Sequence, residues 1–195
     1  MTTKKHNRTF LNTFLSERKQ VGAVAPSSRF LVNAMCNKID FERADCIVEL
    51  GPGTGVFTEE LLARAKDDCK IILIELNRTF HKVLKDRFKN TDSRLIILNR
   101  SADEIEDIVK EHNINDVDAV LSSLPLTVIP EIIKKRIIIG SYNVLRQGGV
   151  YVQYQYSLNA RRLLELKYGK LKVGFVPFNI PPAFVYTGVK ELMEN

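Results

Sequence analysis

Ile47-Val48-Glu49-Leu50 runs without a break into Gly51-Pro52-Gly53-Thr54-Gly55. An apolar run that ends in glycines at alternate positions calls for a buried strand turning sharply into the next element. Each glycine lacks a Cβ, so the backbone of this turn can take positive φ and approach a ligand closely before a helix opens near Val56. A dinucleotide fingerprint counted from Gly51 would need a glycine where the chain has Val56. A phosphate-binding loop would need Gly-Lys-Ser or Gly-Lys-Thr at that point, and this is absent too.

A second acidic residue lies where a nucleoside would need it. Ile71-Ile72-Leu73-Ile74 reads as a buried parallel strand, and Glu75 falls at its carboxyl end, 24 residues beyond Gly51. A carboxylate there can accept hydrogen bonds from both hydroxyls of a ribose. A third strand, Leu95 to Leu98, leads into Asn99-Arg100-Ser101-Ala102-Asp103. Glu49 followed by Gly51, Gly53 and Gly55 resembles motif I of the S-adenosylmethionine-dependent methyltransferases, and Ala102-Asp103 resembles the adenine-contacting step of that family. The resemblance implies S-adenosyl-L-methionine as cofactor, with Glu49, Gly51, Gly53, Thr54, Gly55, Glu75, Leu76, Ala102 and Asp103 around it. Each element also has a plainer reading: a tight strand-to-helix turn, a carboxylate at a helix start, and a capping Asp.

After residue 45 the pattern alternates. Strands are predicted near 46–50, 71–75, 95–98, 118–122 and 149–156, with helices near 56–66, 77–89, 102–112 and 129–146. That order implies a parallel, doubly wound sheet. A short helix after Tyr156 precedes strand-like segments Lys172–Phe178 and Ala183–Lys190, too closely spaced for a parallel crossover and so antiparallel. The expected fold is α/β and Rossmann-like, as in class I methyltransferases. Its seven-stranded, mostly parallel sheet ends in an antiparallel hairpin, and N-terminal amphipathic helices precede it.

With 195 residues, 45% of them hydrophobic, the chain can bury one sizeable core. No apolar run approaches the roughly 18 residues needed to span a bilayer, and the N-terminus is too polar for a signal peptide. A cytoplasmic protein, monomeric in solution, is expected. Cys36, Cys46 and Cys69 are isolated thiols with no metal-ligand spacing, so no metal is expected.

The charge is concentrated at the start. Residues 1–30 hold Lys4, Lys5, Arg8, Arg18, Lys19 and Arg29 against Glu17 alone, most of the chain's net charge of +6. Phe10, Leu11, Phe14 and Leu15 recur at helical spacing and form one apolar stripe with basic flanks. Such a helix reads as a membrane-surface element, attracted to anionic lipid. The alternatives are a helix laid over the cofactor pocket and an RNA-binding arm. Residues 1–30 are therefore treated as a segment covering the site and binding membrane, and 31–195 as the catalytic domain.

The reaction site should lie past the fourth strand, at Ser122-Ser123-Leu124-Pro125-Leu126. Adenine amino methyltransferases carry Asn or Asp, then Pro-Pro or Leu-Pro, then an aromatic residue here. Adenine's exocyclic amine is conjugated, so those enzymes draw off its protons with a side chain and a backbone carbonyl, and stack the flipped base. Ser122 and Ser123 are poorer acceptors, and Leu126 cannot stack. An aliphatic amine needs no such help once deprotonated, and the apolar loop suits a lipid.

These residues, with Gly22-Ala23-Val24-Ala25-Pro26-Ser27-Ser28-Arg29-Phe30-Leu31 and Asn179-Ile180-Pro181-Pro182-Ala183-Phe184-Val185-Tyr186, resemble the bacterial phospholipid N-methyltransferases over nearly the whole chain. Those proteins are similar in their core to the ribosomal RNA adenine dimethyltransferases. The latter carry a helical domain after the seventh strand, whereas this chain is expected to stop shortly after its own. The resemblance implies nitrogen methylation of phosphatidylethanolamine or another amino lipid on the inner face of the membrane, with RNA as the competing acceptor. Tyr154 is the expected proton acceptor, with Tyr156, Ser122, Ser123 or water as alternatives. Arg29 and Arg161, with Leu126, are the expected substrate contacts. Ser27 or Ser28 is placed to cap the helix that follows, and the resemblance implies that the segment with Ser28 also closes over the methionine end of the cofactor.

Overall fold

The computed structural model describes residues 27–89 and 92–191. The expected membrane residues Lys4, Lys5, Arg8, Phe10, Leu11, Phe14, Leu15, Arg18 and Lys19 lie outside the described residues, as do the helices expected there. The element order is α1 (Arg29–Cys36), β1 (Cys46–Leu50), α2 (Val56–Arg64), β2 (Lys70–Ile74), α3 (Arg78–Arg87), β3 (Leu95–Leu98), α4 (Ile105–Glu111), β4 (Val117–Ser122), α5 (Glu131–Val144), β5 (Leu145–Gln155), α6 (Arg161–Tyr168), β6 (Lys172–Val176) and β7 (Ala183–Val189).

The seven strands form one sheet in the order β3-β2-β1-β4-β5-β7-β6. β1 to β5 pair in parallel, and β7 pairs antiparallel with both β5 and β6. The expected mostly parallel sheet with a final antiparallel hairpin is present. Chain order reverses between β1 and β4, where Leu50 and Ser122 are partners in the register. In an open α/β sheet, the crevice beyond the carboxyl ends at such a reversal is where ligands bind.

Both faces are covered, which is why β1 and β4 are buried along their whole length. Phe57 and Leu61 of α2, Leu84 of α3 and Leu31 and Met35 of α1 pack on one face. Ile105 and Ile108 of α4, Ile133 and Ile137 of α5 and Leu164 and Tyr168 of α6 pack on the other. At the amino edge, buried Asp118 of β4 accepts from the backbone N–H groups of Asp45 (2.8 Å) and Cys46 (3.0 Å) and from Arg146 Nε. One carboxylate thus ties β1, β4 and β5 together.

Two boundaries depart from expectation. The helix expected over 129–146 ends at Val144, and the strand expected from 149 begins at Leu145. Leu145 already pairs with Val117, and a register shift before the Ala119–Val150 pair absorbs the additional residues, with Gly148 at φ 75°. The helix expected from 102 opens instead as a 3₁₀ turn, Ala102–Glu104, and becomes α-helical only at Ile105.

Candidate functional site

The glycine turn lies at the carboxyl end of β1, hydrogen-bonded to both neighbouring strand ends. Gly51 N–H donates to Ile74 O (3.0 Å), and Ser123 N–H donates to Leu50 O (2.9 Å). Gly51 has φ 71°, and a Cβ there would sit 2.7 Å from Leu124 Cδ2, so glycine lets this turn and the Ser122–Leu126 loop close on each other. Gly55, at φ 86°, is the N-cap of α2, and a Cβ there would meet Phe88 at 2.6 Å. The Thr54 carbonyl accepts from Arg87, fastening the turn to α3.

Glu75 ends the next strand. Its Oε2 accepts from Gly53 N–H (3.0 Å) and its Oε1 from Asn77 N–H (2.8 Å), so the carboxylate spans the glycine turn and the start of α3. These oxygens keep acceptor capacity for a ribose hydroxyl. Burial raises the Glu75 carboxyl above its ordinary value, against the backbone hydrogen bonds of Asn77, Gly53 and Leu76 that lower it. The carbonyls of Glu75 and Leu76 accept from Asn99 Nδ2 at 2.8 and 3.0 Å.

Glu49 is fully buried. Its Oε2 accepts from Thr58 Oγ1 (2.7 Å), while Oε1 has no partner among the described residues. Burial pushes its carboxyl up to about 8, opposed by the Thr58 hydrogen bond and reinforced by the charge of Glu75. A buried acceptor without a donor is costly. A cation such as the ammonium of a bound methionine group would answer it. Together with the Glu75 acceptors and the bare glycine backbone, Glu49 Oε1 fits S-adenosylmethionine.

Asp103 lies farther along the same edge, already engaged: Ser101 Oγ donates to Oδ1, and Arg136 lies 3.8 Å from Oδ2. Ala102 is buried beside it. Ser28 is the N-cap of α1, its Oγ accepting from Leu31 N–H (3.3 Å), as the capping reading expects. Its backbone N–H donates to Asn179 Oδ1 (2.9 Å), joining α1 to the turn between β6 and β7.

In the reaction loop, the carbonyl of Leu124 accepts from Gln153 Nε2 (2.8 Å), Gln155 Nε2 (2.8 Å) and Leu126 N–H (3.0 Å). Gln153 Nε2 also donates to Tyr154 O (2.9 Å), while its Oε1 accepts from Tyr151 OH (2.8 Å). Both of the partners of Nε2 are carbonyls, so only this amide orientation satisfies the network. Ser122 Oγ accepts weakly from Leu124 N–H (3.4 Å), and Ser123 Oγ is buried without a partner among the described residues. Pro125 O accepts from Val128 N–H (3.1 Å), which closes the loop before α5.

The other residues expected to act on the substrate lie as follows. Tyr154 lies in the core under α1 and α2, stacked on Phe57 with centroids 6.1 Å apart and edge-on to Tyr156 at 5.7 Å. It belongs to the sheet face opposite Tyr151, because alternate residues of a strand point to opposite faces. Arg161 is paired with Glu165 at 2.8 Å. Its neighbour Arg162 instead lines a cleft of about 370 Å³ with Leu126, Thr127, Glu131, Lys134, Asn159 and Leu163. Arg29 is exposed at the start of α1, its guanidinium 5.3 Å from the Phe30 ring centroid. Sequence reasoning missed Asn99, Gln153, Gln155, Arg162 and Asn179. The signal for the glutamines was polar residues at alternate positions of a central strand, where buried amides must find partners.

No helix among the described residues is long and apolar enough to cross a membrane. Buried Cys36, Cys46 and Cys69 are free, their thiols pushed up by burial to about 12, 12 and 11.

A doubly wound sheet whose β1 glycine turn and β2 acid meet at the point of reversal belongs to the class I methyltransferases, enzymes that use S-adenosyl-L-methionine. Within that class the chain belongs to the ribosomal RNA adenine dimethylase family, whose sequence profile matches residues 15–171, and it is an N-methyltransferase. An ornithine lipid N-methyltransferase from Singulisphaera acidiphila is 29% identical over 93% of this chain and 96% of its own length. A ribosomal RNA small subunit methyltransferase A from Mycoplasma capricolum is 23% identical over 62% of this chain and 44% of its own, so this chain spans less than half of that relative. In fold, a precorrin-6y C5,15-methyltransferase from Geobacter metallireducens matches with a TM-score of 0.67 at 17% identity, over 83% of this chain and 88% of that one. The 16S rRNA N2 G1207 methyltransferase of T. thermophilus, solved with AdoMet and guanosine, matches with a TM-score of 0.66 at 20% identity, over 87% of this chain and 44% of that one.

Proposed function

We propose that this enzyme methylates the aliphatic amine of an amino lipid, phosphatidylethanolamine or an aminoacyl lipid, at the inner face of the membrane. The observation that carries the reading is the occupied carbonyl of Leu124. Three donors converge on an oxygen with two lone pairs, so none is left for a proton of an incoming amine. Adenine's conjugated amine needs such an acceptor, and Ser123 and Leu126 supply neither the carboxamide nor the stacking ring. An aliphatic amine carries its own lone pair once deprotonated. The match to the ornithine lipid enzyme over 96% of its length supports the same reading.

Bound S-adenosylmethionine supplies a methyl group already activated on a sulfonium. What the chain contributes is placement, because nitrogen, carbon and sulfur must lie in line. The Gln153 and Gln155 amides fix the loop that would position the amine. Ser123 Oγ, which has no partner among the described residues, would accept a hydrogen bond from the amine, whose proton passes to water. In the cleft beside Leu126 Lys134 is paired with Glu131 at 2.9 Å, and Arg162 is the cation suited to the anionic part of the headgroup. The acidic groups at Glu49 and Glu75, with the glycine turn, would hold the cofactor's charged and ribose ends.

The test is transfer of labelled methyl from S-adenosylmethionine to vesicles of phosphatidylethanolamine, to an aminoacyl lipid and to unmethylated ribosomal RNA in parallel. Label in either lipid is expected. Label in RNA alone would overturn the reading and make Ser122–Leu126 a variant adenine site.

A further inference from the structure

The turn between β6 and β7 inverts the usual distribution of polar and apolar side chains. Asn179 is 3% exposed, whereas Phe178 and Ile180 on either side of it are 70% and 80% exposed. The inversion is built in. Asn179 Oδ1 accepts from Ser28 N–H (2.9 Å) and its Nδ2 donates to Pro181 O (2.7 Å), so the polar side chain is held inward and its neighbours are held out. Phe30, 46% exposed at the start of α1, packs against Phe178 with ring centroids 5.3 Å apart.

The register places this cluster. Phe184 pairs with Gln155 at the carboxyl end of β5, so the preceding turn stands beyond that end, at the edge where the Gln155 amide holds the reaction loop. Leu158, also 46% exposed, follows β5 at the same carboxyl edge of the sheet. A water-soluble surface seldom fixes adjacent large apolar side chains outward unless something covers them. Residues 177–182 contain no acid, and exposed Arg29 lies beside Phe30. Residues 1–26, which precede Ser27 in the sequence, carry Lys4, Lys5, Arg8, Arg18 and Lys19 against Glu17.

We infer that the Phe30–Phe178–Ile180 cluster is a membrane-docking wedge that seats the carboxyl edge of the sheet on an anionic bilayer. Ile180 decides between lipid and nucleic acid, because an aliphatic side chain gains from acyl chains but cannot stack on a base. Arg29 supplies attraction to anionic headgroups. The inference rests on the amino-lipid reading for its purpose: a substrate amine at the bilayer surface then meets the reaction loop without leaving the membrane.

The chain has no tryptophan, so Phe178→Trp introduces a single fluorescent reporter. Vesicles of phosphatidylcholine with phosphatidylglycerol, added without S-adenosylmethionine, should shift its emission to the blue, and acyl-brominated lipids should quench it. Val189→Trp, at the opposite edge of the sheet, should not respond. Adding Ile180→Glu to the Phe178→Trp variant should weaken vesicle binding by about tenfold or more, as expected for removal of one buried apolar side chain. Circular dichroism and methylation of detergent-dispersed amino lipid should stay unchanged. An unmoved reporter would overturn the inference. So would a reporter already blue-shifted before vesicles are added, which means the cluster is covered by this chain or a second copy, or one that responds to RNA but not to vesicles. Methylation of dispersed lipid without insertion sinks the wedge alone. Insertion without lipid methylation leaves the wedge standing and sinks the amino-lipid acceptor.

Discussion

Gln155 Nε2 lies 2.8 Å from the carbonyl oxygen of Leu124, a contact that joins β5 to the loop after β4 across 31 residues of sequence. Gln153 reaches the same oxygen from two residues earlier on the strand. Removing Gln155 leaves the carbonyl two donors, while the loop loses one of its fixed points. Gln155→Ala is expected to lower kcat by about tenfold to a hundredfold, the cost of a slightly misplaced reactant, with little change in the KM for S-adenosylmethionine. Gln153→Ala should also lower the melting temperature, because it strands the buried Tyr151 hydroxyl. Steady-state kinetics and a thermal melt of both variants check this.

Glu75, at the carboxyl end of β2, accepts from the backbone of the glycine turn and of the start of α3 and keeps acceptor capacity for a hydroxyl. Glu75→Gln replaces one carboxylate oxygen with a donor, so it is expected to raise the Kd for S-adenosylmethionine by about tenfold or more. Isothermal titration with S-adenosylhomocysteine, which keeps the ribose, should show a similar loss. An unchanged Kd for both would remove Glu75 from the ribose site.

Glu49 gives a pH signature. Its carboxyl, raised to about 8 by burial, is neutral in the folded cofactor-free protein at pH 6 but ionised in the unfolded chain. Between about pH 4.5 and 8 the folded state therefore binds more protons, so this contribution to stability is full below pH 4.5 and falls as pH rises through 8. Glu49→Gln should flatten that decline. A cation at Oε1 favours the ionised form, so cofactor affinity should increase with pH up to about 8 in the wild type and lose that dependence in the variant. Thermal melts and cofactor titrations across this range measure both slopes.

Ser123 and Tyr154 are separated by their surroundings. Ser123 Oγ is in the reaction loop, while Tyr154 packs against Phe57 under α1 and α2. Ser123→Ala should reduce kcat by about tenfold, within the range for a positioned polar group, and Tyr154→Phe should keep most of the activity. The reverse ranking would restore Tyr154 as the proton acceptor.

Asp118 predicts a stability effect away from the site. Asp118→Ala would leave two backbone N–H groups and the Arg146 guanidinium without their acceptor, at a cost of about 2–4 kcal/mol. Urea unfolding should show the loss, and cofactor affinity should persist under native conditions.

The strand-to-glycine turn, the acid closing β2 and the alternation that makes the sheet parallel are legible in the residues alone. Each follows from a short-range rule: positive φ at Gly51 and Gly55 favours glycine, and a buried parallel strand requires an unbroken apolar run. Tertiary structure decided what each polar side chain meets. Asn179 is buried because Ser28, 151 residues away, offers it a donor, and the same contact turns Phe178 and Ile180 outward. Tyr154 and Gln155 are neighbours in sequence but point to opposite faces of β5, one into the α1–α2 core and the other toward Leu124. Arg161 meets Glu165 one helical turn on, while Arg162 faces the cleft. Strand and helix periods are local, but what covers each face is supplied by distant segments, so a partner is fixed only when those segments pack.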